Sequence, residues 1–157
     1  MSMDERMIRE AVELAARNVN ERRGGPFAAL VARGSEVLAR AANRVTATCD
    51  PTAHAEVLAI REACRLLGSH QLAGCDVYAS CEPCPMCTGA IYWARPDHVY
   101  FASTRGDAAR AGFDDELIYR ELALEPPRRR IDFIHVPVEG AGEPFERWSA
   151  WSDRPDY

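Results

Sequence analysis

The chain opens with a helical pattern. Apolar residues recur at Ile8, Ala11, Val12, Ala15 and Val19 among charged neighbours, which predicts an amphipathic helix over about residues 4–22. Gly24-Gly25-Pro26 stops it. The spacing then changes. Residues 27–32 and 37–41 are short apolar runs on either side of Arg33-Gly34-Ser35, the pattern of two strands joined by a hairpin. Asp50-Pro51 opens a second helix, with proline at a tolerated early position, running to Gly68. Further on come a strand over 76–81, a helix over 85–93 closed by Arg95-Pro96, and a strand over 98–102. A helix over 114–124 ends at Pro126-Pro127, and a strand over 131–138 precedes a last helix over 144–151. A hairpin followed by strand–helix alternation predicts one α/β domain spanning 1–157. Its expected form is a three-layer α/β/α sandwich around a mixed five-stranded sheet.

Composition narrows the options. With 157 residues, 47% of them apolar and 27% charged, the chain can bury the core of one domain. No stretch approaches the roughly 20 apolar residues of a membrane span. Met1-Ser2-Met3-Asp4-Glu5-Arg6 lacks the basic-then-apolar run of a signal peptide, so the expectation is a cytoplasmic protein with no membrane partner. The net charge of −5 disfavours a nucleic-acid partner, and Arg128-Arg129-Arg130 after two prolines reads as a solvated turn. Every basic residue is Arg, which excludes a lysine Schiff base. Six cysteines would suggest disulfides only in an oxidising compartment. Three of them crowd into Cys81-Glu82-Pro83-Cys84-Pro85-Met86-Cys87, a spacing that favours metal or redox chemistry.

Cys84 and Cys87 stand at the start of a predicted helix, where both sulfurs can face one point. Two such thiolates and one imidazole leave the fourth tetrahedral position of a zinc ion open, as in catalytic sites. Alone, a C-x-x-C also reads as a redox pair or half of a structural site, although Pro85-Met86 does not sit in a thioredoxin-like context. The second segment is His54-Ala55-Glu56. In the body of a helix its two polar side chains diverge by about 200°. At a helix end, where free N–H groups point outward, both can reach one pocket. A Glu beside a metal, not bound to it, is placed for general acid–base work; the other reading is a surface pair on an ordinary helix. Cys81 exceeds the ligand count and reads as a buried strand residue.

The pattern H-x-E…P-C-x-x-C is the signature of zinc base deaminases. The chain resembles the cytidine-deaminase-like superfamily, and within it the bacterial guanine deaminases. The resemblance is carried by Gly24-Gly25-Pro26-Phe27, Asn43, Asp50 to Glu56, Ser80 to Cys87, Gly89 to Ala94, Asp107-Ala108-Ala109, Ala111 to Asp115 and Tyr157. It implies that His54, Cys84 and Cys87 bind Zn2+ and that Glu56 relays protons. The implied reaction is hydrolysis of guanine to xanthine and ammonia, in purine catabolism or salvage. Phe27, Asn43, Ala55, Trp93, Asp114, Asp115 and Tyr157 are the implied substrate contacts. It further implies a homodimer that exchanges a C-terminal segment, about 140–157, with Tyr157 completing the partner's pocket.

Each implied contact has a plainer reading. Asp114-Asp115 before Glu116 would cap a helix, Phe27 and Trp93 would be core aromatics, and a tail ending in Tyr157 would be loose. Phe145, Trp148 and Trp151 form a packing stripe that also suits docking on a second subunit. Glu143 is a cap-region acid or a support for the site. Ala28 replaces the family's usual Gly, where a methyl would narrow the pocket floor, and Thr88 replaces Leu. Rival functions are the same chemistry on cytosine, isocytosine, a triazine, guanosine or cytidine, and, less well matched by charge, tRNA adenosine deamination. A zinc-stabilised binding module without turnover is the rival from another class, with Cys81 as the fourth ligand.

Overall fold

The structure, a computed structural model, describes residues 1–157 and divides into two units, Met1–Tyr119 and Arg120–Tyr157. The first begins with helix α1 (Met3–Asn20), closed at its start by a reciprocal cap. The Glu5 amide donates to Ser2 Oγ at 3.1 Å and the Ser2 amide to Glu5 Oε2 at 2.8 Å. Its buried face is Met7, Ala11, Ala15 and Asn18, whereas Val12 and Val19 are 43% and 45% exposed. The expected apolar face is therefore rotated. Small Ala side chains let α1 lie close to the sheet, and the larger Val residues fall on its flank.

Strands β1 (Ala28–Arg33) and β2 (Glu36–Ala42) form the expected antiparallel hairpin, with Gly34 in the left-handed region at φ 56°. Strand β3 (Asp76–Cys81) pairs antiparallel with β1 and parallel with β4 (His98–Ser103), giving the order β2-β1-β3-β4. Helix α3 (Ala55–Leu67) and helix α4 (Pro85–Ala94) cover one face. There Ala29, Val31 and Val77 meet Ala55, Ala59, Ala63 and Ile91. On the opposite face α1 packs Met7 and Ala11 onto Leu30 and Tyr78. Coverage on both faces explains why β1 reads as an unbroken apolar run, since only a one-sided strand alternates. Tyr78 is fully buried, yet its hydroxyl donates to Asp4 Oδ1 at 2.8 Å and its ring stacks on Tyr100 at 4.9 Å.

Several expectations are corrected. The sheet has four strands, not five: residues 131–138 form no strand and every one of them is exposed. Apolar spacing makes a strand only where another strand offers its edge, and the second unit contains none. The helix expected from Pro51 starts at Ala55, because Asp50 accepts from the Thr52 amide (2.8 Å) and hydroxyl (2.7 Å) and locks the chain in a turn. Two short helices were not foreseen, α2 (Val45–Thr48) and α5 (Arg105–Arg110), the latter capped by Thr104 and Asp107. Helix α6 (Glu116–Leu122) is shorter than expected at both ends.

The second unit holds a 3-10 turn at Pro126–Arg128 and helix α7 (Glu143–Ala150). None of its residues is buried, and Phe145, Trp148, Trp151 and Tyr157 are all exposed. The expected stripe is present in part as an edge-on Trp148–Trp151 pair, 5.6 Å between centroids. Glu143 is bonded to Arg147 at 2.9 Å. No helix of the chain is long and apolar enough to cross a membrane.

Ser80 is a buried polar residue of β3, and its hydroxyl accepts from the Ala28 amide at 3.0 Å across to β1. Ser80→Ala removes that acceptor and strands a buried N–H, which costs about 1–3 kcal/mol. Urea unfolding of the variant should show a loss in that range with an unchanged m-value. An unaltered midpoint would mean that the amide finds another partner.

Candidate active site

The site is built from two helix starts. His54 is the residue capping α3 and Cys84 the residue capping α4, in nearly the same extended conformation (φ −70°, ψ 149° and φ −66°, ψ 169°). Neither side chain caps its own helix. Both are therefore free to point at a common centre while the first-turn amides add positive potential. Pro85 occupies the first turn of α4, where a missing N–H costs nothing, and Cys87 follows within the same turn. The Thr88 hydroxyl donates to the Pro83 carbonyl at 3.3 Å, so this departure from the family pattern ties down the loop that carries Cys84.

His54 Nδ1 lies 3.5 Å from the sulfur of Cys84 and 3.5 Å from that of Cys87, and the two sulfurs are 3.6 Å apart. These three residues are the one group in the chain whose ligand atoms converge, all within 4.8 Å of one another. A tetrahedral zinc ion, with bonds of about 2.3 Å to sulfur and 2.0–2.1 Å to nitrogen, sets its ligands about 3.5–3.8 Å apart. The donor set and its spacing fit zinc. The Cys84 thiol is lowered to about 4, chiefly by its hydrogen bond with Cys87 and then by His54. The His54 imidazole is raised by that same contact with Cys84. Cys81 does not join them: its sulfur faces the Thr104 carbonyl at 3.6 Å, and burial pushes its thiol up to about 11. That removes the fourth ligand on which a closed structural site would depend.

Glu56, in the first turn of α3, is only 7% exposed and lines the cavity beside His54. Burial raises its carboxyl above the ordinary range. The first unit's cavity has a volume of about 640 Å³, ample for one heterocycle. Of the expected residues, Phe27, Asn43, His54, Glu56, Cys84, Asp114 and Asp115 line it. Ala55 is fully buried and outside the lining, Trp93 is 61% exposed and also outside it, and Tyr157 belongs to the second unit. The methyl of Ala28 is buried in the core, not in the cavity wall, so it does not narrow the floor.

The lining residues have distinct electrostatic roles. Asp114 accepts from the Glu116 amide at 2.9 Å, which is the helix-cap role. Partial burial raises the Asp115 carboxyl, against the opposing hydrogen bond from its own amide. Asn43 is 7% exposed; its side-chain oxygen accepts from the amides of Gly25 and Val45, each at 3.2 Å. With that oxygen occupied, the amide nitrogen is the group left to meet a ligand. Phe113, not foreseen as a site residue, meets Phe27 edge-to-face at 4.9 Å and 87° on the cavity wall. Its position directly before Asp114-Asp115 was the signal available in the sequence.

Residues 1–103 match the model of the cytidine and deoxycytidylate deaminase zinc-binding region. Guanine deaminase from Bacillus subtilis is 47% identical over 98% of both chains. Its crystal structure superposes with a TM-score of 0.95 over 98% of each chain. A tRNA-specific adenosine deaminase from Aquifex aeolicus is 36% identical, over 75% of this chain and 76% of that protein. A structure of guanine deaminase from Nitrosomonas europaea, 33% identical, gives a TM-score of 0.65 over 69% of this chain and 63% of its own.

The geometry makes the metal test specific. Elemental analysis of the unaltered chain should find one zinc, and His54→Ala, Cys84→Ala and Cys87→Ala should each lose it, with a lowered melting temperature because site formation and folding are coupled. Cys81→Ala should keep full zinc. Zinc loss in Cys81→Ala with retention in Cys87→Ala would reverse the assignment.

Proposed function

This chain belongs to the cytidine and deoxycytidylate deaminase zinc-binding family, and from that premise we propose that it hydrolyses guanine to xanthine and ammonia. The observation that carries the reading is the buried Glu56 beside the His54, Cys84 and Cys87 donor set, in a cavity that also presents Asp115 and the Asn43 amide. The likeness to the Bacillus subtilis guanine deaminase along nearly the whole chain supports guanine as the base.

His54, Cys84 and Cys87 would hold the metal, and zinc so bound would supply a Lewis acid that brings the pKa of water to about 7. Glu56 does the proton work. As water oxygen adds to C2, Glu56 accepts its proton and delivers it to the adjacent ring nitrogen. It then takes the second proton and passes it to the exocyclic amine. The C2–N bond breaks, ammonia leaves, and the new C2 carbonyl completes xanthine. Burial that raises the Glu56 carboxyl suits this exchange, since a strongly acidic carboxylate would hold no proton to return. Asp115 accepts from the N1–H and amino donors of guanine, and Asn43 donates through its free amide nitrogen to the purine acceptors. Phe27 packs the flat ring, with Phe113 holding Phe27 edge-on. Asp114 acts through the α6 cap it forms and keeps Asp115 in place.

Ammonia release from a panel of guanine, guanosine, cytosine, isocytosine, cytidine, adenine, a triazine and a tRNA anticodon stem tests the substrate. Guanine should lead. Turnover of another member in its place would reassign the ring and keep the chemistry. Glu56→Gln should lower turnover by about 10²–10⁴ with zinc retained, the usual weight of general acid–base catalysis. Wild-type turnover by that variant would remove Glu56 from the mechanism.

The same proposal includes a homodimer in which residues about 140–157 exchange, Tyr157 and the neighbouring aromatics closing the partner's pocket. Its support is the second unit's exposed Phe145, Trp148, Trp151 and Tyr157, apolar surface that burial against a second copy would remove from water. Mixing a Glu56→Gln chain with one truncated after Arg154 tests it. Each homodimer should be nearly inactive, and the heterodimer should recover one site. Absence of recovery, with subunit exchange verified, would mean that each chain closes its own site.

A further inference from the structure

Three features lie outside the mechanism. One is the groove between α1 and β2 lined by Arg17, Arg23, Arg40 and Arg44. Its arginines are exposed, and two of them are already paired with Glu21 and Glu10. Another is Cys81, committed to a carbonyl. The third is Asn18. It is the single polar residue on the buried face of α1, 4% exposed, following Met7, Ala11 and Ala15 along an otherwise apolar line.

A buried amide on an apolar stripe needs partners, and those of Asn18 are specific. Its Nδ2 donates to the Gly25 carbonyl at 2.9 Å and to the Asn43 carbonyl at 3.0 Å. Gly25 in turn donates its amide to the side-chain oxygen of Asn43 at 3.2 Å. Asn18 therefore grips both the backbone of Asn43 and the residue that orients its side chain. The fit is close: a Cβ on Gly24 would stand 2.1 Å from the Asn43 carbonyl oxygen and 3.2 Å from Asn18 Nδ2. The Asn18 carbonyl also accepts from the Arg23 amide at 3.0 Å, fixing the turn that leads into β1.

We propose that Asn18 is a positioning residue for substrate recognition: it holds Asn43 with its oxygen bound to the backbone and its amide nitrogen turned to the base. The role of Asn43 toward the base rests on the function proposed above; the grip of Asn18 on Asn43 does not.

Asn18→Asp keeps size and shape but replaces the two N–H donors with an acceptor facing two carbonyls. It should lower kcat/KM for guanine by about 10–100-fold, mainly through KM, with zinc content unchanged. Asn18→Asp combined with Asn43→Ala should be no worse than Asn43→Ala alone, because both changes act on one contact. Hydrogen exchange of the Gly25 and Val45 amides should accelerate in Asn18→Asp while that of Leu30 and Tyr78 in the sheet stays slow. Unchanged KM, or additive losses in the double variant, would overturn the proposal. Should Asn18→Asp lose zinc or cooperative unfolding, Asn18→Ala carries the same three comparisons. If Asn43→Ala leaves guanine turnover intact, the base-reading role of Asn43 fails, and amide exchange at Gly25 and Val45 still decides whether Asn18 holds it.

Discussion

The site depends on the convergence of two helix N-termini on one face of the sheet. A helix start offers unpaired N–H groups and positive potential, conditions that favour a thiolate over a thiol. At α3 and α4 the capping positions carry His54 and Cys84, so the groups that usually satisfy the helix end are turned outward. The three donor atoms then stand 3.5–3.6 Å apart, the spacing a tetrahedral zinc ion sets for such ligands. The sheet makes this possible by being covered on both sides. Ala29 and Val31 of β1 anchor α3 from one face while α1 seals the other, which leaves the helix ends at a fixed height.

Burial of Glu56 follows from the same arrangement. It sits in the second position of α3, directly after fully buried Ala55, and inherits the low-dielectric side of the helix start. Desolvation outweighs the opposing hydrogen bonds from its own amide and Cys87 and raises its carboxyl. The Asp114-Asp115 pair makes a contrast. Asp114 spends its carboxylate on the Glu116 amide and stabilises α6, whereas burial at the cavity wall raises the carboxyl of Asp115.

Much of this was legible in the sequence because the chemistry is local. Cys84 and Cys87 lie one turn apart, and His54 and Glu56 two residues apart, so spacing alone limits where their side chains can point. The hairpin, β3, α4 and β4 were legible for a similar reason, being short runs with strong breakers. What escaped was set by tertiary partners. The apolar spacing of α1 puts Ala11 and Ala15 on one face with Val12 and Val19, but packing on the sheet keeps only the two smaller residues buried and brings Met7 and Asn18 inside. The strand expected over 131–138 needed an edge to join and has none in its unit. Asp50-Pro51 has the residues of a helix start, but the Asp50–Thr52 bonds make it a separate turn that delays the helix to Ala55.

Catalysis and recognition are built from different parts of the fold, and this bears on how such a site can change. The metal donors and Glu56 belong to helix starts fixed by core packing. Much of the remaining cavity lining comes from three loops: Gly24-Gly25, Asn43 with the α2 turn, and Phe113 to Asp115. A substitution in a loop can alter which polar edges are presented without moving a ligand of the metal. The loops are not independent of the core, however. Asn18 reaches from α1 to both Gly25 and Asn43, so two of the three recognition loops are joined to the packing of one helix on the sheet. A shift of α1 by a fraction of an ångström would therefore register first in the orientation of Asn43, while His54, Cys84 and Cys87, held on the opposite face, would keep their geometry.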